Sequence, residues 1–165
     1  MTIRLKGSYY DAVEIIDGVL ATWGAGDYEW EDQFMMNPKM AYDQFELSTK
    51  VTDEDGNVWP LVDCRDMIDG SGNPLWLYEK KIDAAIHKIE NEGKVIICCI
   101  AGISRSNSIA AGVLMKKYKM EYIDAIDNVR DKVKWAMMEQ AHLNALKKLF
   151  PPTIPFSNKR VKKPH

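Results

Sequence analysis

The stretch from Lys94 to Ser106, KVIICCIAGISRS, contains the pattern that decides the fold. Its first part, Lys94 to Cys98, is a continuous apolar run, which is typical of a strand covered on both faces in a parallel sheet. A short loop with glycine and serine follows, and the pattern is helical from about Arg105 to Lys119. A loop between a strand end and a helix start gathers backbone N–H donors at the positive end of the helix dipole. The stretch therefore predicts an anion-binding site.

The side chains of this loop suit phosphate chemistry. Cys99 stands at the loop entrance, where a helix N-terminus and a nearby cation can lower a cysteine pKa from about 8.5 to roughly 3.5–7.5. We therefore expect a nucleophilic thiolate there. Arg105 offers a planar fork for two phosphate oxygens, and Ser106 is placed to donate a hydrogen bond to the Cys99 sulfur. The residues that we expect to surround the substrate phosphate are Ile100, Ala101, Gly102, Ile103, Ser104 and Arg105. Gly102 lets the backbone approach the ligand without a Cβ in the way.

The segment before this loop predicts a strand, a crossover helix and a second strand. Leu61 to Cys64 is the first strand, and Asn73 followed by Pro74 is typical of a helix start with Asn73 as the cap. Apolar residues then recur at helical spacing, and Gly93 ends the helix. This apolar stripe comprises Ile82, Ala85, Ile86 and Ile89.

The remaining segments complete one domain. Residues 12–23 predict a strand and turn, residues 44–51 and 57–63 predict the arms of a hairpin or of a tight strand connection, and residues 122–134 and 135–150 predict two more helices. We therefore expect a single α/β domain over residues 1–150, with a mostly parallel central sheet flanked by helices. Residues 151–165 form a basic C-terminal tail.

Composition restricts the class of protein. The 165 residues are 46% hydrophobic and 28% charged, and no apolar run approaches the roughly 20 residues that cross a bilayer. The N-terminus lacks the apolar block of a secretory signal, so we expect a cytoplasmic location. We also expect the protein to be a monomer. Cys64, Cys98 and Cys99 do not suggest a disulfide scaffold, and the three histidines are scattered, so no metal site is expected. The net charge is −2, but residues 76–165 alone carry about +8, which suits an anionic substrate.

The pattern Cys99-x-x-Gly-x-Ser-Arg-Ser106 resembles the signature of the dual-specificity phosphatases, within the cysteine-dependent protein-tyrosine-phosphatase superfamily. The resemblance covers about residues 59–150 and implies a protein-tyrosine-phosphatase-like fold and a reaction that needs no cofactor. In this family the general acid is an aspartate about thirty residues before the cysteine. Asp66 and Asp69 lie 33 and 30 residues before Cys99. We prefer Asp66, because it follows the strand directly, and Asp69 is the alternative. Cys98 stands where the family has a histidine that supports the loop.

These residues predict a phosphatase that acts on phosphoproteins, at phosphotyrosine and also at phosphoserine or phosphothreonine, through a cysteinyl-phosphate intermediate. Ile100 and Ala101 stand where inositol-lipid-directed relatives carry lysines, which favours a phosphorylated protein or peptide as substrate. An RNA 5′-phosphatase is the alternative that the basic C-terminal half supports, with nucleic acid as the less favoured partner. A phosphate-binding pseudophosphatase is the alternative that Cys98 supports. Oxidised Cys99 could also form a reversible disulfide with Cys64 or Cys98.

Overall fold

The computed structural model describes residues 1–8, 10–26 and 50–152. The strand that ends at Cys99 lies in the middle of its six-stranded sheet. The strands are β1 (Thr2–Ile3), β2 (Ala12–Ile16), β3 (Leu20–Gly24), β4 (Lys50–Thr52), β5 (Val58–Asp63) and β6 (Val95–Cys99). The helices of the described residues are α1 (Leu75–Glu92), α2 (Arg105–Lys116), α3 (Tyr122–Lys132) and α4 (Gln140–Leu149). The predicted α/β fold with helices flanking a sheet is confirmed.

The sheet has a parallel centre and antiparallel edges. Its order is β1-β2-β3-β6-β5-β4, in which β6 runs parallel to both β3 and β5. The outer pairs β1/β2, β2/β3 and β4/β5 are antiparallel. The short connections within the β2-β3 and β4-β5 hairpins allow only antiparallel pairing, whereas α1 carries the chain back from β5 to a parallel β6. The predicted crossover unit is present, and the complete sheet is mixed rather than mostly parallel.

Alternate residues of β6 face opposite sides of the sheet. Val95, Ile97 and Cys99 belong to the main core, which includes buried residues of all four helices. Ile96 and Cys98 belong to a smaller apolar cluster on the other face. Both faces are buried, which explains the unbroken apolar run of this strand. The alternation also places the sulfur atoms of Cys98 and Cys99 on opposite faces.

The two hairpins are close to their predicted positions. The strand and turn expected within residues 12–23 correspond to β2, a turn at residues 17–19, and β3. The second arm of the other hairpin corresponds to β5, and residues 50–51 of its first arm lie in β4. Residues 44–49 of that arm and residues 153–165 of the expected tail lie outside the described residues.

The longest helix, α1, packs on the sheet through the predicted stripe. It buries Ile82, Ala85 and Ile89, and Gly93 ends it with a left-handed φ of 87°. Its start differs from the prediction, because Asn73 does not cap it and Pro74 occupies the cap position. The Asn73 amide instead binds the backbone of Ile68, accepting from its N–H at 2.9 Å and donating to its carbonyl at 2.6 Å. None of the described helices is long and apolar enough to cross a bilayer.

The last helix, α4, begins five residues later than predicted. Residues 133–139 are not helical, because their polar groups bind the loop after β6. The Trp135 indole donates to the Gly102 carbonyl at 3.2 Å, and the Met137 N–H donates to the Ile103 carbonyl at 3.0 Å. The Glu139 N–H donates to the Ser104 hydroxyl at 3.0 Å. These contacts give the segment a role that its apolar pattern alone does not indicate.

Candidate active site

The loop between β6 and α2 is held through its carbonyl groups. The Ile100 carbonyl accepts from the Gly26 N–H at 2.8 Å, and the Ser104 carbonyl accepts from the Ser108 N–H at 2.9 Å. Within residues 1–8, 10–26 and 50–152, no hydrogen bond has its backbone N–H donor between Ile100 and Arg105. A loop with fixed carbonyls and free N–H groups at a helix start is suited to bind an anion.

Asn107 fixes the middle of this loop, and the sequence analysis did not single it out. Its side-chain amide donates to the carbonyls of Gly102 and Ile103, both at 3.0 Å. Its side-chain oxygen accepts from the Thr22 hydroxyl at 2.7 Å, and both side chains are buried. The available signal was an asparagine two residues after Arg105 and just before the apolar run that begins at Ile109, since a buried amide needs hydrogen-bond partners.

Two glycines bring β3 against the loop. Gly102 has a left-handed φ of 72°, and a Cβ on it would lie 2.7 Å from the Gly24 nitrogen. A Cβ on Gly24 would lie 2.6 Å from the Ala101 carbonyl carbon. Gly102 is therefore needed for its backbone conformation and for contact with β3, rather than for the ligand contact expected from the sequence.

Cys99 and Ser106 meet at the base of the loop. The Cys99 sulfur lies 3.2 Å from the Ser106 hydroxyl oxygen, and both residues are buried. A thiol can donate to this oxygen, whereas a thiolate can accept from the hydroxyl. The Ser106 hydroxyl is thus placed to stabilise negative charge on the sulfur.

A cavity of about 190 Å³ lies over Cys99. Its walls are formed by the loop between β6 and α2, by the acid loop (residues 65–73) and by the segment before α4. The lining residues are Asp69, Cys99, Ala101, Ile103, Ser104, Arg105, Met137, Met138 and Glu139. Of the predicted site residues, Ile100, Gly102, Ser106, Asp66, Cys64 and Cys98 do not line it. Elsewhere in the described ranges too, no three His, Cys, Asp or Glu side chains are grouped to hold a metal ion.

Arg105 connects the cavity to the acid loop. Its Nη1 donates to the carbonyls of Met67 at 2.8 Å and Arg65 at 3.2 Å. Its Nε is buried and has no hydrogen-bond partner within the part of the chain that the structure describes. A buried guanidinium N–H is normally paired with an acceptor, and a phosphoryl oxygen is a suitable one. The Nε edge of the guanidinium can meet two oxygens of a phosphoryl group.

The two candidate acids lie in different environments. Asp66 is 65% exposed, forms an ion pair with Lys81 at 2.9 Å, and does not line the cavity. Asp69 lines the cavity, and its Oδ1 lies 3.1 Å from Nε2 of the fully buried His142. The geometry therefore favours Asp69 over Asp66, the residue that the sequence analysis preferred.

His142 is a further polar residue that sequence reasoning missed. It lies on the buried side of α4, and its Nδ1 is 2.6 Å from the Tyr78 hydroxyl of α1. Burial raises the pKa of Tyr78, the hydrogen bond from Asn73 lowers it, and the charge of Asp69 raises it further. A histidine at an apolar helix position was the only available signal, because its partners are distant in sequence.

Cys98 occupies a separate environment behind the loop. Its sulfur donates to Asp63 Oδ1 at 3.6 Å, and burial, together with the charge of Asp63, raises the pKa of its thiol. Asp63 also forms a bidentate ion pair with the buried Arg65 side chain, at 2.9 Å from Nη2. Since Cys98 and Cys99 point to opposite faces, Cys98 is not placed to form the disulfide considered in the sequence analysis.

Cys64 is the cysteine placed beside Cys99. Both belong to the main core, and the Cys64 N–H donates to the Cys98 carbonyl at 2.8 Å, which extends the β5/β6 pairing by one residue. Neighbouring strands lie roughly 4.8 Å apart, within the Cα separations that disulfides span. Burial raises the pKa of the Cys64 thiol well above its ordinary value.

Residues 62–150 match the family model described as the dual specificity phosphatase, catalytic domain. The chain belongs to this family. Protein 123R of Invertebrate iridescent virus 6, which is named as a tyrosine phosphatase, is 33% identical over 76 residues. That match covers 46% of this chain and 50% of the viral protein, so the chain spans about half the length of this curated relative.

Solved structures of phosphatases share the fold. A variant of human DUSP28 superimposes with a TM-score of 0.57 at 13% identity, covering 83% of this chain and 92% of that one. Tk-PTP in its active form superimposes with a TM-score of 0.54 at 18% identity, covering 84% of this chain and 95% of that one. At these identities the likeness establishes the protein-tyrosine-phosphatase-like fold alone.

Proposed function

We propose that the chain is a cysteine-dependent phosphatase that hydrolyses phosphate monoesters on phosphoproteins through a cysteinyl-phosphate intermediate, with Asp69 as general acid. The observation that carries this proposal is one cavity lined by Cys99, Arg105 and Asp69, together with a buried Arg105 Nε that has no hydrogen-bond partner among the described residues. These three groups supply the nucleophile, the oxyanion clamp and the proton donor of phosphoryl transfer.

In the first step, the Cys99 thiolate attacks phosphorus while the bond to the leaving oxygen breaks. The Asp69 carboxyl group gives its proton to that oxygen, which leaves as a neutral alcohol or phenol. The free N–H groups of the loop and the Arg105 guanidinium hold the three equatorial oxygens, where charge develops in the transition state.

In the second step, the Asp69 carboxylate takes a proton from water as the water oxygen attacks phosphorus. The phosphorus–sulfur bond breaks, inorganic phosphate is released, and Cys99 returns as a thiolate. The Ser106 hydroxyl, 3.2 Å from the sulfur, can donate to it as its negative charge returns. This hydrogen bond makes the sulfur a better leaving group.

The charges of the cavity support a substrate with a single phosphate group. Arg105 is the one basic residue among the lining residues that the structure describes, beside two carboxylates, Asp69 and Glu139. A triphosphorylated RNA end or a polyphosphorylated inositol would need further cations to balance its charge. A phosphorylated side chain of a protein needs only one such clamp.

We also propose that residues 1–150 form one phosphatase domain. The family match covers residues 62–150, and β1, β2 and β3 lie before it in the chain. These strands nevertheless belong to the same sheet, since β3 pairs with β6 over Leu20 to Gly24. Removing them would expose one side of the strand that leads to Cys99.

The proposal is tested by comparing four substrates: an aryl phosphate, a phosphotyrosine peptide, a phosphothreonine peptide and triphosphorylated RNA. Wild-type protein should hydrolyse the first two, and Cys99→Ser should abolish turnover while retaining peptide binding. Asp69→Asn should lower kcat on the phosphotyrosine peptide by about 10² to 10⁴. Its effect on an aryl phosphate with a good leaving group should be much smaller.

Two further variants distinguish the acids. Asp66→Asn is the matched control from the same loop, and we expect its leaving-group dependence to equal that of wild type. Glu139→Gln tests the second carboxylate of the cavity. The assignment of Asp69 is wrong if either of these variants, rather than Asp69→Asn, loses activity selectively on the phosphotyrosine peptide. Phosphopeptide binding without turnover in the wild type would instead identify a pseudophosphatase, and selective turnover of RNA would identify an RNA 5′-phosphatase.

A further inference from the structure

A network of hydrogen-bonded side chains leads from the cavity into the helices. Asp69 Oδ1 contacts His142 Nε2 at 3.1 Å, and His142 Nδ1 contacts the Tyr78 hydroxyl at 2.6 Å. The Asn73 amide donates to the same hydroxyl at 3.5 Å. His142 is fully buried, and Tyr78 is 2% exposed. These hydrogen bonds therefore connect the exposed acid loop to two helices of the core.

One assignment of donors and acceptors is consistent with every contact in this hydrogen-bond network. In this assignment the Tyr78 hydroxyl donates to His142 Nδ1 while its oxygen accepts from the Asn73 amide. Nδ1 is then an acceptor, so the neutral imidazole carries its proton on Nε2 and donates it to Asp69 Oδ1. One tautomer thus satisfies every contact of the imidazole.

We propose that His142 is a positioning residue for the general acid, holding Oδ1 of Asp69 so that Oδ2 carries the catalytic proton towards the leaving oxygen. This inference rests on the proposed function, because it assumes that Asp69 protonates the leaving group. Only Oδ1 contacts the histidine, so the other carboxyl oxygen is left for the cavity that Asp69 lines.

The position of Asp69 on a surface loop explains why such support is needed. Its side chain is 43% exposed, whereas the imidazole is fully buried and belongs to a regular helix. An exposed carboxylate on a loop would sample several rotamers, and a misplacement of about 1 Å can cost about 10²-fold in rate. The helix-borne donor selects the rotamer in which proton transfer is possible.

The test uses three variants and two substrates. His142→Phe retains a planar ring in the core and removes both hydrogen bonds, His142→Gln retains an N–H donor towards Asp69, and Tyr78→Phe removes the hydroxyl that selects the tautomer. Each is assayed with an aryl phosphate that has a good leaving group and with a phosphotyrosine peptide, whose leaving oxygen needs a proton. Unfolding in urea is measured in parallel, and a native-state assay temperature is chosen for each variant.

We expect His142→Phe to lower kcat on the phosphotyrosine peptide by roughly 10- to 100-fold, with little change in KM or in kcat on the activated substrate. His142→Gln should recover most of this loss, and Tyr78→Phe should show a smaller loss of the same kind. Tyr78→Phe retains the imidazole, so it provides the same test should His142→Phe not fold.

Two results would overturn the inference. One is an equal loss on both substrates in folded variants, which would indicate a structural role alone. The other is a His142→Gln variant that is as impaired as His142→Phe. If Asp69→Asn itself shows no dependence on the leaving group, the proposed general acid is wrong. If Asp69→Asn shows it and the His142 variants do not, only the inference about His142 fails.

Discussion

Replacing Gly24 or Gly102 with alanine tests whether backbone contact with β3 shapes the loop between β6 and α2. A Cβ on Gly24 would lie 2.6 Å from the Ala101 carbonyl carbon and oxygen, whereas ordinary contacts of a Cβ begin near 3.4 Å. The distance between the new methyl group and the Ala101 carbonyl must therefore increase by about 0.8 Å. The obstructing atoms belong to the backbone and cannot swing aside, so the loop or the strand itself must move.

The energetic consequences differ between the two positions. Gly24 is not in the left-handed region, so Gly24→Ala introduces a steric conflict alone. Gly102→Ala adds a left-handed φ of 72°, which costs an alanine about 1–2 kcal/mol. Gly18 is the matched control, because it has a φ of 73° and a Cβ there would meet nothing within 4 Å.

Urea titrations and kcat/KM on an aryl phosphate separate these effects. Gly18→Ala should lower the free energy of unfolding by about 1–2 kcal/mol and leave kcat/KM unchanged. Gly24→Ala should lower kcat/KM by about 10²-fold, because the loop that we propose holds the phosphoryl group is displaced by nearly 1 Å. Gly102→Ala should lose both stability and activity. A Gly24→Ala variant with wild-type kcat/KM would refute the reasoning.

Three further predictions concern the thiols, Ser106 and Asp53. Peroxide should inactivate the protein by oxidising the Cys99 thiolate to a sulfenic acid, which the Cys64 thiol attacks with release of water. Dithiothreitol should then restore activity in the wild type but largely fail in Cys64→Ser, and equal recovery would exclude Cys64. Ser106→Ala should slow hydrolysis of the intermediate, seen as a burst of phenol release followed by slow turnover; a profile without a burst would contradict this role. Burial raises the pKa of the Asp53 carboxyl, but hydrogen bonds, chiefly from Asn57, outweigh it, so the pKa lies below its ordinary value of 3.8. The ionised form therefore contributes stability above pH 3.8 that is lost as the pH falls through the lower folded pKa. Asp53→Asn should reduce the free energy of unfolding at pH 7 and reduce it less below pH 3.8, and a constant difference across this range would argue against it.

Local sequence patterns were sufficient for the elements that build the loop. The apolar run at β6, the helix stripe of α1 and the left-handed glycine after it depend on neighbours within a few residues, so their spacing is visible in the sequence. The strand–loop–helix order around Cys99 and Arg105 depends on the same local signals. The family could be recognised for this reason, because its signature lies within this one loop.

The choice between Asp66 and Asp69 depends on contacts far along the chain. The two residues lie three positions apart in one polar loop, and their distance from the strand favoured Asp66. In the folded chain Asp66 pairs with Lys81, while Asp69 meets His142, 73 residues later. Loop residues carry no periodicity, so their direction is decided by the groups packed against the loop.

The sequence by itself determined the strand, the loop and the helix that bring a thiol, an arginine and a row of backbone N–H groups together, because each of these features arises from neighbouring residues. Only the tertiary structure decided what surrounds them. It placed Gly24 of β3 against Gly102, directed residues 133–139 over the loop instead of into α4, and joined His142 to the acid loop. Each of these contacts joins segments that are distant in sequence, and such contacts form only when the sheet and helices have packed.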